Sequence, residues 1–144
     1  MKAVDGSIGF LLARTARSMK RALDTRLTQH NLTATQYIVL SVLCGEDGIS
    51  LSQLGQRLYF DNPTITGIID RMERDGLVER RRIADDRRVI SIFLTHKGKA
   101  LIRDHDDLAD EIDAQAMNGM TGKQREAFLK VLNKIWKTMN EKID

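Results

Sequence analysis

The chain has 144 residues, one cysteine, one proline and a formal net charge of +3. This length suits a single domain that buries roughly two-thirds of the surface its unfolded chain exposes, so folding needs neither disulfides nor a structural metal. The single cysteine, Cys44, excludes a disulfide framework and a cysteine-based zinc site, and it agrees with a reducing compartment. The apolar run near the start, Ile8–Ala13, is too short for a membrane span. We therefore expect a cytoplasmic protein that makes no contact with a membrane.

The first three predicted helices are marked by periodicity and by capping signals. Apolar residues recur at helical spacing from about residue 7 to residue 30, which predicts the first helix. Thr33 and Gln36 have the spacing of a capping box, in which each side chain accepts a hydrogen bond from the other residue's backbone N–H, and they begin the second helix. That helix ends near Gly45. A second capping box, Ser50 with Gln53, begins the third helix.

The fourth helix has the strongest start signal of the chain. Asp61-Asn62-Pro63 combines an N-cap residue with a proline in the first turn. Ile65, Ile68, Ile69 and Met72 form one apolar stripe, so we expect them in the core. The opposite face carries Gly67, Asp70, Arg71 and Arg74, flanked by Thr64 and Thr66. Gly76 is predicted to end the helix as a C-terminal cap.

The period then changes from that of a helix to that of a strand. Leu77–Ile83 and Arg88–Leu94 are rich in strand-forming residues and flank a turn over residues 84–87, which predicts a β-hairpin. Thr95 is expected to cap a fifth helix that continues through an acidic cluster to about Met117. A third capping box, Thr121 with Gln124, begins a sixth helix.

Arginine is concentrated around this hairpin. Of fourteen arginines in the chain, seven lie between Arg71 and Arg88. Such a concentration is the electrostatic pattern of a nucleic-acid binder, although a charged run is more often a solvated surface. Its position in a defined supersecondary unit favours the functional interpretation.

The predicted fold class is mainly α with a small β-hairpin, and the order helix–helix–helix–hairpin is that of a winged helix-turn-helix. In this arrangement the fourth helix enters the major groove of DNA. The segment Asp61–Arg80 and the segment Asp86–Gly98, which reads D-R-R followed by L-T-x-x-G, resemble the recognition helix and the wing of the MarR family of transcriptional regulators. The resemblance covers nearly the whole chain. It implies one domain over residues 1–144, with a DNA-binding lobe at about 33–98 and dimerisation helices at about 7–30 and 96–142.

The resemblance implies a role for each charged residue of the hairpin. Arg88 matches the wing arginine that enters the minor groove, where the negative potential of a narrow groove favours a guanidinium. Asp86 matches the acid that orients this arginine, although aspartate is also common in plain turns. Phosphate contacts are expected from Arg81, Arg82 and Arg87, with an ordinary solvated strand as the alternative for the first two. Base or backbone contacts from the fourth helix are expected from these residues: Thr64, Thr66, Gly67, Arg71 and Arg74.

The family layout further implies a homodimer on a pseudo-palindromic operator and a repressor controlled by a small ligand, often an aromatic acid. The apolar positions Phe128, Leu132, Ile135 and Trp136 of the last helix are expected to be shared between the intramolecular core and the dimer interface. Arg14, Arg17 and His30 are candidates for the ligand site, although a basic residue on the first helix is more often at a surface or an interface.

Other classes of protein find less support in the sequence. The chain contains no phosphate-binding loop and no zinc-protease motif, so we expect no enzyme and no cofactor. We also expect no metal site, because the three histidines are scattered and the residues around His105 would follow one another along a helix and point in different directions. Cys44 raises the alternative of thiol-based peroxide sensing, but its apolar surroundings favour a buried, inert thiol. A winged helix that serves only as a protein-interaction module is the remaining alternative.

Overall fold

The computed structural model describes residues 4–83 and 85–141. After a short 3-10 turn at Val4–Gly6, its elements are α1 Ile8–Thr28, α2 Ala34–Gly45, α3 Leu51–Leu58, α4 Asn62–Arg74, β1 Val78–Arg82, β2 Ile90–Leu94, α5 His96–Arg103, α6 Leu108–Ala116 and α7 Gly122–Asn140. The chain divides into two compact units, one up to Ala109 and one from Asp110 onward. The mainly helical architecture with a small hairpin confirms the predicted fold class.

The predicted capping signals form as hydrogen bonds. The boxes at Thr33, Ser50 and Thr121 are all reciprocal, with both the side-chain and the backbone bond present. Asp61 accepts the Thr64 N–H at 2.7 Å, and Gly76 takes a φ of 72°. These short-range bonds satisfy backbone N–H groups that a helix leaves unpaired in its first turn, which is why local sequence sets the helix starts.

The core of the first unit lies where α1 to α5 and the hairpin meet. Its fully buried side chains are Leu27, Val39, Leu40, Leu43, Leu54, Ile65, Ile69, Met72, Val78, Ser91 and Ile92. The apolar stripe predicted for α4 is therefore buried in full, which fixes the direction in which the opposite face of that helix points.

The hairpin is antiparallel, with Val78 opposite Leu94 and Arg82 opposite Ile90. The segment before α3 extends the sheet at its other edge, because the Gly48 N–H donates to the Ile92 carbonyl and the Ile92 N–H to the Ile49 carbonyl, both at 2.9 Å. This third partner anchors β2 to the helical body. The predicted turn over residues 84–87 includes Ala84, which lies outside the described residues.

The prediction of one continuous fifth helix is wrong. The chain leaves the helix after Arg103, passes through turns at residues 104–107 and starts again at Leu108. The Tyr37 hydroxyl donates to the His105 carbonyl at 3.1 Å and accepts the Ala109 N–H at 3.3 Å. This side chain from α2 takes up backbone groups that a continuous helix would pair internally, in a stretch whose aspartates are poor helix formers. The predicted end of the C-terminal dimerisation segment, residue 142, lies outside the described residues.

Two further expectations are corrected. Cys44 is exposed rather than buried, although the buried Leu40 lies one turn earlier on the same side of α2, because Cys44 is in the last turn of the helix, which ends at Gly45 and leads into exposed residues. The histidines are not all scattered, since the His30 and His105 rings lie 4.1 Å apart between centroids. Within residues 4–83 and 85–141, however, no group of three or more histidine, cysteine, aspartate or glutamate side chains is placed to hold a metal ion.

The second unit consists mainly of α7. None of the residues of this helix is buried, and Phe128, Leu129 and Val131 are exposed while Leu132 and Ile135 are partly covered. Among the described parts of the chain, no helix is both long and apolar enough to cross a membrane.

Candidate nucleic-acid interface

The exposed face of α4 is built by its cap and by its buried stripe. Hydrogen bonds from the Thr64 side chain and backbone hold the pKa of the exposed Asp61 carboxyl below its ordinary value. The carboxylate is therefore charged at neutral pH and completes the first turn of the helix. Helical periodicity then places Pro63, Gly67 and Arg74 farthest from the core.

The residues predicted to contact DNA from α4 divide between two sides of this exposed face. Thr64 and Arg71 lie on the side toward α1 and α2. Thr66 lies on the side toward the hairpin. Gly67 lies between them, and a methyl group added there would meet only the Arg71 guanidinium, at 3.9 Å. The absence of a side chain at Gly67 lets another molecule approach the helix backbone closely.

The hairpin, called the wing below, presents Arg88 to solvent. Its side chain is 91% exposed, and the Asp86 carboxylate accepts from both the Arg88 backbone N–H at 3.0 Å and the Nε at 3.2 Å. Asp86 thus binds both the backbone N–H and the side-chain Nε of Arg88. The side-chain contact with Asp86 uses Nε, so the two terminal nitrogens of the exposed guanidinium remain available to bind a phosphate or a base edge.

Arg81 and Arg82 are engaged within the wing. Arg81 pairs with Glu79 and lies over the Phe93 ring at 4.5 Å from its centroid. Arg82 donates to the Arg87 carbonyl across the turn. Both side chains remain exposed, so contact with a phosphate requires Arg81 to share or leave its glutamate. No hydrogen bond or ion pair joins the Arg87 side chain to another described residue.

Thr66 and Arg88 line one recess, together with residues that the sequence did not single out. Its volume is about 290 Å³, and its other walls come from the start of α3, the start of α4 and β2. Ser52 and Asn62 contribute polar side chains there. Ser52 follows the helix cap Ser50, and Asn62 follows the cap Asp61. This position in the sequence could have predicted them as site residues, because the N–H groups in the first turns of α3 and α4 have no partner within the helix. The recess joins the recognition helix and the wing into one continuous surface, with Thr66 and Arg88 on its walls.

Arg80 is the other residue whose role the sequence did not predict. It lies within the arginine cluster, but its side chain is only 22% exposed and contacts α4 rather than solvent. Its guanidinium pairs with Asp70 at 2.6 Å and with Glu73 at 3.0 Å. The alternation of the strand is the signal that separates it from Arg81, because Arg80 lies opposite the buried Ile92.

A larger groove of the first unit, about 680 Å³, lies on the other side of α4. Cationic side chains from two helices line it, namely Lys20, Arg71 and Arg74. The predicted ligand residues are not in its walls: the Arg14 guanidinium lies over the Phe10 ring at 5.9 Å, and His30 contacts His105. Arg17 is exposed on α1.

The comparisons with known proteins agree with this arrangement. The MarR family model matches residues 32–90. The chain is 38% identical over 89% of its length to the HTH-type transcriptional regulator TtmR of Methylorubrum extorquens (strain PA1), of which the matched segment covers 65%. It is 30% identical over 82% of its length to the HTH-type transcriptional regulator SarZ of Staphylococcus aureus, covering 77% of that protein.

Similarity in three dimensions extends over nearly the whole chain. BpsR of Bordetella bronchiseptica, solved in a study of the regulation of its DNA binding by 6-hydroxynicotinic acid, superposes with a TM-score of 0.85 at 25% identity. The match covers 94% of this chain and 96% of BpsR. With a winged helix and two family-specific motifs on one surface, the chain belongs to the MarR family, a non-enzymatic family of transcriptional regulators that bind DNA.

Proposed function

We propose that this protein is a cytoplasmic transcriptional repressor that binds a specific double-stranded operator. The observation that carries the proposal is the shared recess, which both Thr66 of the recognition helix and Arg88 of the wing line. Simultaneous contact with a major groove and the adjacent minor groove requires two elements in this relation. The exposed α4 face then reads bases, and the wing supplies charge and reads groove width.

Selection from a random duplex library tests sequence-specific binding. We expect the wild-type protein to enrich one pseudo-palindromic sequence, and its affinity for that duplex to fall with salt by a log–log slope of about 0.9 per phosphate neutralised. Arg88→Ala should weaken binding and leave the melting temperature unchanged. If no duplex is enriched, even at low salt, the protein is an interaction module and not an operator-binding regulator.

We further propose that the protein acts as a homodimer. A pseudo-palindrome is read by two copies related by a two-fold axis. The apolar positions of α7 support a second copy as the occupant: Phe128, Leu132, Ile135 and Trp136. Light scattering should give twice the chain mass for wild type and a lower mass for Phe128→Glu/Leu132→Glu. Lys134→Glu, which adds a carboxylate elsewhere on α7, is the control, and a monomeric wild type at micromolar concentration would contradict the dimer.

Control by an aromatic acid completes the proposal. The groove between α1, α2 and α4 has an apolar wall of Leu32, Phe60 and Ile68 that suits a flat aromatic body. Asp24 and Asp75 also line it and Lys20 pairs with Asp24 at 2.7 Å, so the carboxylate of a ligand would be bound by Arg71. BpsR responds to such a compound. A ligand held by Arg71 would favour one position of α4. It lowers DNA affinity only if it binds the protein more tightly in the DNA-incompetent position than in the DNA-competent one.

The ligand proposal is tested with 6-hydroxynicotinic acid and benzoate as probes. We expect a rise in melting temperature and release of the selected duplex. Because Arg71 is also a predicted DNA contact, the measurement in Arg71→Gln is the rise in melting temperature, which should be lost. Arg17→Gln decides between the two candidate locations, since the predicted α1 site loses the response in that variant instead. A response that persists in both variants would contradict both locations.

A further inference from the structure

The pairing of Arg80 with α4 carries an inference about how the two DNA-contacting elements act together. We propose that Arg80 is a positioning residue, which clamps the wing to the recognition helix so that Arg88 and Thr66 meet DNA at a fixed separation. This inference rests on the proposed function, since it concerns how that same surface achieves specificity. Arg80 itself is not expected to contact DNA.

The geometry is that of a fork held across two helical turns. One terminal nitrogen of Arg80 donates to the Asp70 carboxylate at 2.6 Å and the other to Glu73 at 3.0 Å. The first nitrogen also has a longer contact, 3.5 Å, with the Thr66 carbonyl. The Arg80 backbone N–H donates to the second Glu73 oxygen at 3.0 Å. Because residues 66, 70 and 73 follow one stripe of α4, the clamp runs along the edge of the helix that faces the wing.

The burial of this arginine separates it from its neighbours in the cluster. The side chain of Arg80 is 22% exposed, whereas those of Arg81 and Arg88 are 57% and 91% exposed. Partial burial strengthens a charge-assisted pair and reduces its screening by salt. A planar guanidinium that spans two carboxylates also fixes an orientation, which a lysine ammonium cannot do.

The clamp constrains the strand of the wing that the rest of the sheet does not hold. The two strands have five residues each, and the backbone hydrogen bonds to residues 48 and 49 anchor β2 only. The clamp joins the middle of β1 to α4, and the Thr66 carbonyl within its reach belongs to a residue that lines the recess with Arg88. Movement of the wing away from α4 would therefore change the separation between the two groove contacts.

The charges at this position make the test decisive. Asp70 and Glu73 are acids on or near the face that approaches DNA, so replacing both by amides raises the positive charge of that face. Electrostatics alone then predicts tighter binding to every duplex. The clamp predicts weaker discrimination, because Arg80 loses its two charged partners.

The experiment measures affinity for the duplex selected by the wild type and for a scrambled duplex of the same length. The variants are Arg80→Lys, which keeps the charge, and Asp70→Asn/Glu73→Gln, which keeps the arginine. The matched control is Arg57→Lys, which changes an arginine of α3 that pairs with Glu46 at 2.7 Å. Melting temperature and the salt dependence of binding are measured for each.

We expect both test variants to lose about tenfold in the ratio of specific to scrambled affinity, comparable to a mismatched base pair. Scrambled binding should be unchanged in Arg80→Lys and stronger in the double variant, and Arg57→Lys should keep the wild-type ratio. An unchanged ratio in Asp70→Asn/Glu73→Gln overturns the proposal, including when Arg80→Lys fails to fold. Failure of the proposed function is distinguishable, because the wild type itself would then show no preference between the duplexes.

Discussion

The hydrogen bonds between Asp86 and Arg88 lead to a prediction about preorganisation. Replacing Asp86 by Asn keeps an oxygen that can accept the Arg88 backbone N–H at 3.0 Å, so the turn is retained. It removes the charge that holds the Arg88 Nε at 3.2 Å. The substitution therefore releases the outer part of one side chain without removing its charge.

Two effects of this substitution oppose each other. Loss of an acid close to DNA strengthens binding to any duplex. Loss of the hydrogen bond from the Arg88 Nε to Asp86 weakens binding, because ordering a free arginine costs about 0.5–1.5 kcal/mol. Arg88 is 91% exposed, so the pair itself contributes at most about 1 kcal/mol. Loss of this hydrogen bond then changes the free energy of DNA binding by about 0.5–1 kcal/mol, which is a two- to fivefold change in affinity.

Asp85→Asn is the matched control, since it removes the same charge from the adjacent residue of the turn. We expect Asp86→Asn to bind the selected duplex about two- to fivefold more weakly than Asp85→Asn in fluorescence anisotropy titrations, with equal melting temperatures. The salt slopes of the two variants should agree, because Arg88 is present in both. Equal affinities would refute the view that Asp86 acts through the position of Arg88.

Two further predictions concern stability. Gly98→Ala should lower the free energy of unfolding, measured with urea, by about 3 kcal/mol, because the added carbon would clash with the Leu77 carbonyl oxygen. The control is Gly9→Ala, in open space on α1, which should be neutral or stabilising. A neutral Gly98→Ala would contradict this packing. Hydrogen bonding by Lys20, the largest cause, holds the pKa of Asp24 below its ordinary 3.8, so this stabilisation is present above about pH 4 and is lost as the pH falls further. Asp24→Asn should flatten the decline in stability between about pH 4 and pH 2, and an unchanged pH profile would exclude this pair as its source.

Local signals made most of the fold predictable. The three capping boxes and the Asp61 cap each involve residues three apart, so the sequence contains all the partners that define those helix starts. The buried stripe of α4 was equally predictable, because periodicity alone decides which face of that helix is buried. The order of elements and the two family motifs then determined the fold class.

The remaining features depend on partners distant in sequence. The break between α5 and α6 coincides with the Tyr37 hydroxyl, whose partner Ala109 is 72 residues away. The role of Arg80 depends on which face of β1 packs against α4, and a charge count treats all the wing arginines alike. Cys44 was missed for another reason: periodicity places it on the side of the buried Leu40, and its exposure follows from its position in the last turn of α2.

The distribution of partners among the wing arginines changes what the basic cluster implies about DNA binding. Arg80 is committed to α4, Arg81 to Glu79 and Phe93, and Arg82 to the backbone of the turn. Arg80 and Arg81 are paired with carboxylates and Arg88 shares its charge with Asp86, so uncompensated charge for DNA comes mainly from Arg82 and Arg87, fewer groups than the sequence suggests. A wing with few free charges gains little from nonspecific counterion release, because that release scales with the number of phosphates neutralised. Discrimination between sequences must then come from the exposed face of α4 and from the accuracy with which the wing is held against it.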